Sequence, residues 1–259
     1  MFAEKTINDL LDQYFIHFGI KNQKQDRVDL RLTRYFNFRL KYILAKKRQV
    51  LVSKELAPKI TCSPYNEGII EILYRAAVGY DLNPFQSKES FNSDYHDLLF
   101  NDWGIHHLHL SKDKKNPKDF FNSRTGSLLF VRFTDSIAYF IDVKHHKDPN
   151  VWSDRDLLRI FQRNWESSIA DRQSRSAVGW FEELSDEDLG VLRKMGYTTG
   201  VEVDGEFYML LGHGQASTGD NMMAGRMADK VICWIGENEN LFRLDHQRFV
   251  TILMDRLSM

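Results

Sequence analysis

Cysteine, proline and long apolar runs are scarce in this sequence. It contains two Cys and five Pro among 259 residues, and Cys62 and Cys233 lie too far apart to suggest a zinc knuckle or a disulfide framework. No stretch approaches the roughly 20 consecutive apolar residues that cross a bilayer, and the N-terminus lacks the basic and apolar segments of a secretion signal. These absences exclude the disulfide-rich, membrane-spanning and fibrous classes, and we expect a cytoplasmic protein with reduced thiols.

Charge is balanced in total but uneven along the chain. The sequence has 35 Lys and Arg against 36 Asp and Glu, yet residues 21–59 hold twelve basic and three acidic residues, and residues 112–118 form a second basic cluster. Such asymmetry is typical of a face that meets a polyanion, although a solvated helix surface is the simpler alternative. We predict nucleic-acid contacts from these basic residues: Arg31, Arg34, Arg39, Lys41, Lys112 and Lys115.

Helical spacing dominates the first hundred residues. Apolar residues recur at intervals of three and four over residues 5–18, from Val28 to about Leu51, and from Glu67 to Tyr80. This pattern predicts amphipathic helices. Residues 1–95 are therefore predicted to be a helical, basic region.

The pattern changes to short strands after residue 96. Branched and aromatic residues predict strands at Ile105–Leu110, Leu128–Phe133 and Ile137–His145, and their closeness in sequence favours an antiparallel meander. A helix that begins near Ser153 or Asp154 completes a region 96–170, the predicted catalytic core.

Residues 178–259 are predicted to form a C-terminal region of unknown role. The pattern indicates a helix at 186–195, a hairpin that turns at Asp204-Gly205, a strand at 230–235 and a closing helix at 244–257. The predicted fold class is α+β, with a helical N-terminal region, a central antiparallel meander sheet and a C-terminal region of hairpin and helices.

Histidine is concentrated around the predicted sheet, since six of the nine His lie between residues 96 and 146. If residues 134–136 form a three-residue turn, alternate residues of the second and third strands make one apolar face and one polar face. A two-residue turn would instead put Arg132 on the side of Tyr139 and Ile141. The polar, solvent-facing side is predicted to hold these residues: His107, His109, Phe130, Arg132, Phe140, Asp142, Lys144 and His146.

Such a surface suits phosphodiester cleavage in RNA, where the 2′-hydroxyl supplies the nucleophile. The protein must then move protons and stabilise a crowded phosphorane, which are roles typical of His, Arg and Lys. Phe130 and Phe140 would stack unpaired bases. We predict cleavage without a cofactor by these catalytic residues: His107, His109, Arg132, Asp142, Lys144 and His146.

The segment Leu128–Trp152, LLFVRFTDSIAYFIDVKHHKDPNVW, resembles the closing hairpin of RelE/ParE-like toxin ribonucleases. Arg132 and the run His145-His146-Lys147-Asp148 match that hairpin most closely. The resemblance implies a toxin-like or defence-related endoribonuclease that cleaves RNA without a metal, with an antitoxin-like inhibitor protein as a partner.

The same residues also resemble the second half of the PD-(D/E)XK nuclease motif, because Asp142-Val143-Lys144 ends an apolar strand. That resemblance implies Mg²⁺ bound by Asp142 together with Asp135, and a water positioned by Lys144.

Two further hypotheses stay open. His107, His109, Asp142 and His146 are a suitable ligand set for a first-row transition metal. A non-enzymatic adaptor would use the basic residues to bind nucleic acid and the sheet as a scaffold, and turnover of RNA would separate it from a nuclease.

Overall fold

The computed structural model describes residues 2–20, 27–62, 64–173, 184–197, 199–209 and 212–258. Part of the basic stretch, residues 21–26, and the start of the predicted C-terminal region, residues 178–183, lie outside these ranges. Within them, no helix is both long and apolar enough to span a membrane. The fold class is α+β, as the sequence predicted.

Helices and strands alternate irregularly along the chain. The helices are α1 (Phe2–Phe18), α2 (Val28–Lys41), α3 (Ala57–Cys62), α4 (Asn66–Val78), α5 (Leu98–Trp103), α6 (Asp156–Trp165), α7 (Asp186–Lys194), α8 (Met222–Glu237), α9 (Glu239–Leu244) and α10 (His246–Ser258). The strands are β1 (Gln49–Val52), β2 (Ile105–His109), β3 (Ser127–Phe133), β4 (Ile137–His145), β5 (Val201–Val203) and β6 (Glu206–Tyr208).

The chain forms two compact units. The helical unit joins Met1–Leu40, Glu89–His96 and Asp220–Met259, and the sheet unit joins Lys41–Lys88 and Asp97–Gly219. The sequence predicted three consecutive regions, whereas the helical unit takes its helices from both ends of the chain.

The helical unit is held together by large aromatic and aliphatic side chains. Tyr35 of α2 is buried, its ring lies 5.2 Å from that of Tyr14 in α1, and its hydroxyl donates to the carbonyl of Leu257 in α10. Trp234 of α8 stacks on Phe249 of α10 at 5.0 Å. These contacts tie the N-terminal pair of helices to the C-terminal ones.

The strand predicted at 230–235 is wrong, because these residues belong to helix α8. The buried side of that helix is formed by Ala224, Ala228, Val231 and Trp234, at intervals of three and four that are typical of one helix face. Asn221 caps the helix by accepting from the amide of Met223. A six-residue window was too short to show this period.

The sheet unit contains a four-stranded sheet with the order β1-β4-β3-β2. Strands β2, β3 and β4 form the predicted antiparallel meander, and β1 pairs parallel with β4. The second predicted helix therefore ends at Lys41, and Gln49–Val52 is a strand. A short apolar run such as Val50-Leu51-Val52 is compatible with a helix or with a strand. Pairing with the edge of β4 makes it a strand.

Both faces of this sheet are buried. One face packs against α4 through Leu108, Leu129, Val131 and Phe140. Helix α4 approaches closely, because a Cβ at Gly68 would stand 1.7 Å from the carbonyl oxygen of Leu110. The other face packs against α6, and the side chains it contributes to that core are these: Ile105, Leu128, Phe130, Tyr139 and Ile141.

The connection between β3 and β4 is shorter than predicted. The amide of Thr134 donates to the carbonyl of Ile137, which leaves a two-residue turn, so Arg132 pairs with Tyr139 and Val131 with Phe140. A β-bulge then inserts one residue in β4, because Phe130 pairs with Asp142. The two-residue turn puts Phe140 on the α4 face, and the bulge returns Asp142 to the α6 face.

The predicted C-terminal hairpin is confirmed as β5 and β6. Asp204 and Gly205 have φ angles of +50° and +82°, the left-handed conformation that a two-residue hairpin turn requires. Helix α7 begins with a capping box between Ser185 and Asp188, and it forms close to the bounds that the sequence predicted.

Candidate active site

The predicted polar residues do share one face of the sheet, with the exception of Phe140. His107 pairs with Phe130 and Phe130 with Asp142, while His109 pairs with Leu128 and Leu128 with Lys144. Directly paired residues lie on the same side of a sheet. The prediction that this side faces solvent is wrong for most of these residues. The buried ones are His107, His109, Phe130 and Asp142, whereas Arg132 and Lys144 are half-buried and His146 is exposed.

Arg132 is displaced from the predicted site. It lies beside Tyr139, and its guanidinium carbon sits 5.3 Å from the centre of the Phe161 ring of α6. Burial lowers the pKa of Arg132. A planar cation on an aromatic ring packs well against an apolar helix, so the structure gives Arg132 a packing role at the opposite end of β3 from His146.

Asp142 and Lys144 are engaged in separate ion pairs. The carboxylate of Asp142 is buried and accepts from Nζ of Lys59 at 2.6 Å, while Lys144 pairs with Asp154. Both residues lie beyond the part of β4 that pairs with β1. The ammonium of Lys144 is thus already paired with a carboxylate.

The predicted magnesium pair of Asp135 and Asp142 is contradicted by the geometry. Asp135 lies in the exposed turn and pairs with Lys46 at 2.6 Å, whereas Asp142 lies near the other end of β4, a separation of roughly 20 Å at about 3.3 Å per residue. Among the residues that the structure describes, there is also no group of three or more His, Cys, Asp or Glu placed to hold a metal ion.

The predicted nucleic-acid contacts divide into buried and exposed residues. Phe130 and Phe140 are fully buried, so neither offers a ring to a base, and Lys41 is also buried. Arg31 is buried and donates to Asn8 and Asp12. The predicted nucleic-acid contacts of Phe130, Phe140, Lys41 and Arg31 are therefore wrong, because these four side chains are buried in the interior of the protein.

The remaining basic residues of that prediction are nearer the surface. Arg34 pairs with Asp94 at 2.7 Å, and Arg39 donates to the carbonyl of Ser258. Lys112 is exposed and pairs with Glu67 at 2.6 Å, and Lys115 is exposed.

Two of the predicted histidines contact one tryptophan, and a third, His109, follows His107 on the same side of β2. We call His107, His109, His146 and Trp152 the imidazole cluster. The ring of Trp152 lies 4.8 Å from that of His107 and 5.4 Å from that of His146, in edge-to-face geometry. His107 and His109 are buried, while His146 is exposed and Trp152 is 37% exposed. The cluster therefore joins buried imidazoles to the surface.

A carboxylate lies beside the innermost imidazole. Nδ1 of His107 is 3.5 Å from Oδ2 of Asp97, whose Oδ1 caps α5 by accepting from the amide of Phe100. Burial lowers the pKa of His107, Asp97 opposes that shift, and His146 reinforces it. Nδ1 of His107 is buried and forms no hydrogen bond within the part of the chain that the structure describes, so Asp97 acts on this ring through its charge.

His109 has a defined tautomer. Its Nδ1 accepts from the amide of Thr125 at 3.2 Å, so the proton of the neutral ring is on Nε2. Burial, followed by the charges of His107 and Arg124, lowers the pKa of His109 to about 4. Arg124 is exposed. The cluster thus contains one imidazole with a defined tautomer, His109, and a second buried imidazole, His107, beside a carboxylate.

Sequence reasoning missed Asp97, Trp152 and Arg124. Asp97 had a local signal, because Asp before an apolar segment is a common helix cap, but its proximity to His107 depends on how α5 leads into β2. Trp152 ends the segment that carries the toxin resemblance, and the turn Asp148–Val151 brings it back to the sheet. Arg124 lies in a lysine-rich loop, and no sequence pattern distinguishes it from the other basic residues there.

Comparison with protein-family models, curated proteins and solved structures finds no match for this chain.

Buried histidines should make the protein sensitive to acid. Burial lowers the pKa of His106 to about 4, below the value of about 6.5 in an unfolded chain. The unfolded state then binds more protons as the pH falls from about 6.5 to 4, so stability is lost in that window by about 1.4 kcal/mol per pH unit and per histidine.

The variant His106→Phe tests this sensitivity. The His106 ring lies between Phe100 and Phe133, at 4.7 and 5.3 Å, so Phe suits the site. We expect the variant to gain about 3 kcal/mol relative to wild type between pH 7 and pH 4. Urea unfolding at several pH values measures this difference, and parallel curves for the two proteins would contradict it.

Proposed function

We propose that this protein is a metal-independent endoribonuclease whose active site is the imidazole cluster. The observation that supports the proposal is that His107 and His146 contact the same Trp152 ring, with a carboxylate beside the buried histidine. Two imidazoles in different environments are the simplest means of moving one proton from a 2′-hydroxyl and another to a leaving oxygen.

The roles follow from burial and tautomer. His107 is kept neutral by burial and, with its own proton on Nδ1 next to Asp97, takes the proton of the 2′-hydroxyl through Nε2. His146, at the surface, donates a proton to the departing 5′-oxygen. His109 donates its Nε2 proton to a phosphate oxygen, and Arg124 neutralises charge on the phosphorane.

The step is balanced without a metal or a water. The 2′-oxygen forms a bond to phosphorus, the bond from phosphorus to the 5′-oxygen breaks, and the products are a 2′,3′-cyclic phosphate and a free 5′-hydroxyl. One proton enters the protein at His107 and one leaves it at His146. The exposed edge of Trp152 packs against the nucleotide at the cleaved bond.

The test is turnover of mixed single-stranded RNA by the purified protein, with and without EDTA. Cleavage that survives EDTA and leaves a 2′,3′-cyclic phosphate supports the proposal, and a 2′-deoxy substitution at the cleaved position should abolish it. His146→Asn protein purified in the same way controls for contaminating ribonuclease.

Other outcomes would overturn the proposal. Cleavage that EDTA abolishes would indicate a metal-dependent nuclease. RNA that is retained by the protein but stays intact would favour a non-enzymatic adaptor.

A further inference from the structure

The loop between β2 and β3 combines exposed positive charge with an exposed aromatic ring. We call residues 111–126 the basic loop; it contains five basic and two acidic residues. Lys114, Lys115 and Lys118 are all exposed, and their side chains form no ion pair within the part of the chain that the structure describes. The ring of Phe120 is 46% exposed.

Internal hydrogen bonds hold the basic loop in a defined shape. Nδ2 of Asn122 donates to the carbonyl of Ser111 at 2.9 Å, and the amide of Ser123 donates to the carbonyl of Asp113 at 2.7 Å. The amide of Asn122 also donates to the carbonyl of Pro84. The lysines and the phenylalanine are therefore presented from an anchored backbone, which lowers the entropic cost of binding.

The basic loop also leads directly into the imidazole cluster. Its residue Thr125 donates its amide to Nδ1 of His109, and the charge of Arg124 acts on the same ring. The C-terminal end of the basic loop therefore contacts the imidazole cluster at His109.

We propose that the basic loop binds single-stranded RNA next to the cleaved bond, with lysines on successive phosphates and a base stacked on Phe120. This inference rests on the proposed function for the position of the bound RNA next to the cleaved bond, but not for the binding itself. Positive charge alone would accept any polyanion, whereas an exposed ring that closely follows the lysines favours unpaired bases, because every base has a face that stacks on an aromatic side chain.

Binding is measured in the His146→Asn background, so that turnover is not needed. The probe is a fluorescent 12-nucleotide RNA of mixed sequence, with a blunt RNA duplex of equal length as competitor. Changing Lys114, Lys115 and Lys118 together to Ser should weaken binding at least tenfold and lower the slope of log K against log salt by about 2. Changing Lys5, Lys194 and Lys230 to Ser is the matched control.

The aromatic contact has its own variant and control. Phe120→Leu should weaken binding of the single strand about 5-fold to 100-fold and leave binding of the duplex unchanged. Tyr74→Leu removes a ring that is 53% exposed elsewhere on the sheet unit. This variant should change neither the binding of the single strand nor that of the duplex.

The outcomes separate this inference from the proposed function. Binding that is unaffected by the lysine and phenylalanine variants would overturn the role of the basic loop, even if the wild-type protein cleaves RNA. Loop-dependent binding without cleavage would leave the loop assignment intact and overturn the nuclease. Preference for the duplex would assign the loop to double-stranded nucleic acid and contradict stacking on Phe120.

Discussion

Replacing His146 with Asn is expected to lower kcat for RNA cleavage about 10²-fold to 10⁴-fold. His146 is exposed, and its ring contacts that of Trp152, so the change removes a proton donor without opening a cavity. The free energy of unfolding should therefore change by less than about 0.5 kcal/mol. Single-turnover cleavage and urea unfolding of the same preparation measure the two quantities.

Variants of two other predicted residues serve as controls for this loss. His145→Asn changes an exposed histidine whose Nδ1 accepts from the amide of Lys147, outside the imidazole cluster, and should keep kcat. Arg132→Ala should lower stability, because it removes the contact with Phe161, yet keep kcat per folded molecule. A loss of kcat in either control that equals the loss in His146→Asn would move the active site away from the cluster.

Arg193→Met is expected to destabilise the protein by about 3–5 kcal/mol. Arg193 is 3% exposed and pairs through Nε with Asp102, which is 1% exposed, at 2.6 Å. Its guanidinium also lies 4.0 Å from the centre of the Trp103 ring and donates to the carbonyl of Trp152. The variant would leave a buried carboxylate without its cation, and that loss dominates the cost.

Urea unfolding of a mutant cycle tests the origin of this cost. Burial raises the pKa of Asp102, and Arg193 opposes the rise, so the penalty in Arg193→Met should be smaller at pH 4 than at pH 7. Asp102→Leu combined with Arg193→Met should recover part of the stability. Arg243→Met breaks an exposed pair with Glu239 and should cost less than about 0.5 kcal/mol.

A double variant as unstable as Arg193→Met alone would contradict the buried-charge explanation. It would assign the cost to lost packing on Trp103 or to the freed carbonyl of Trp152, which lies at the imidazole cluster.

Elements with a long and regular apolar period were predictable from the sequence. Helices α1, α4, α7 and α10 and the meander of β2, β3 and β4 lie close to their predicted bounds, because burying one face selects a single secondary structure. The wrong secondary-structure predictions concern short segments. Gln49–Val52 and residues 230–235 are too short for periodicity to separate helix from strand, and pairing or packing with distant residues decided each.

The candidate site was only partly predictable for a related reason. The shared face of His107, His109, Asp142 and Lys144 follows from strand alternation, although a two-residue turn and a compensating bulge produce it rather than the predicted turn. Exposure did not follow, because the sheet pattern does not say which helix covers which face. Asp97 joins His107 through the packing of α5, and no local pattern encodes that contact.

The sequence by itself determined the α+β class, the antiparallel meander and the crowding of imidazoles at its strands, because these depend on neighbouring residues and on the period of their side chains. Only the tertiary structure decided that α6 covers the polar face, that Arg132 lies on Phe161, and that His107 and His146 meet at Trp152. The physical reason is that burial is a property of residues brought together from distant parts of the chain, and burial governs whether a charged side chain packs, pairs or reacts.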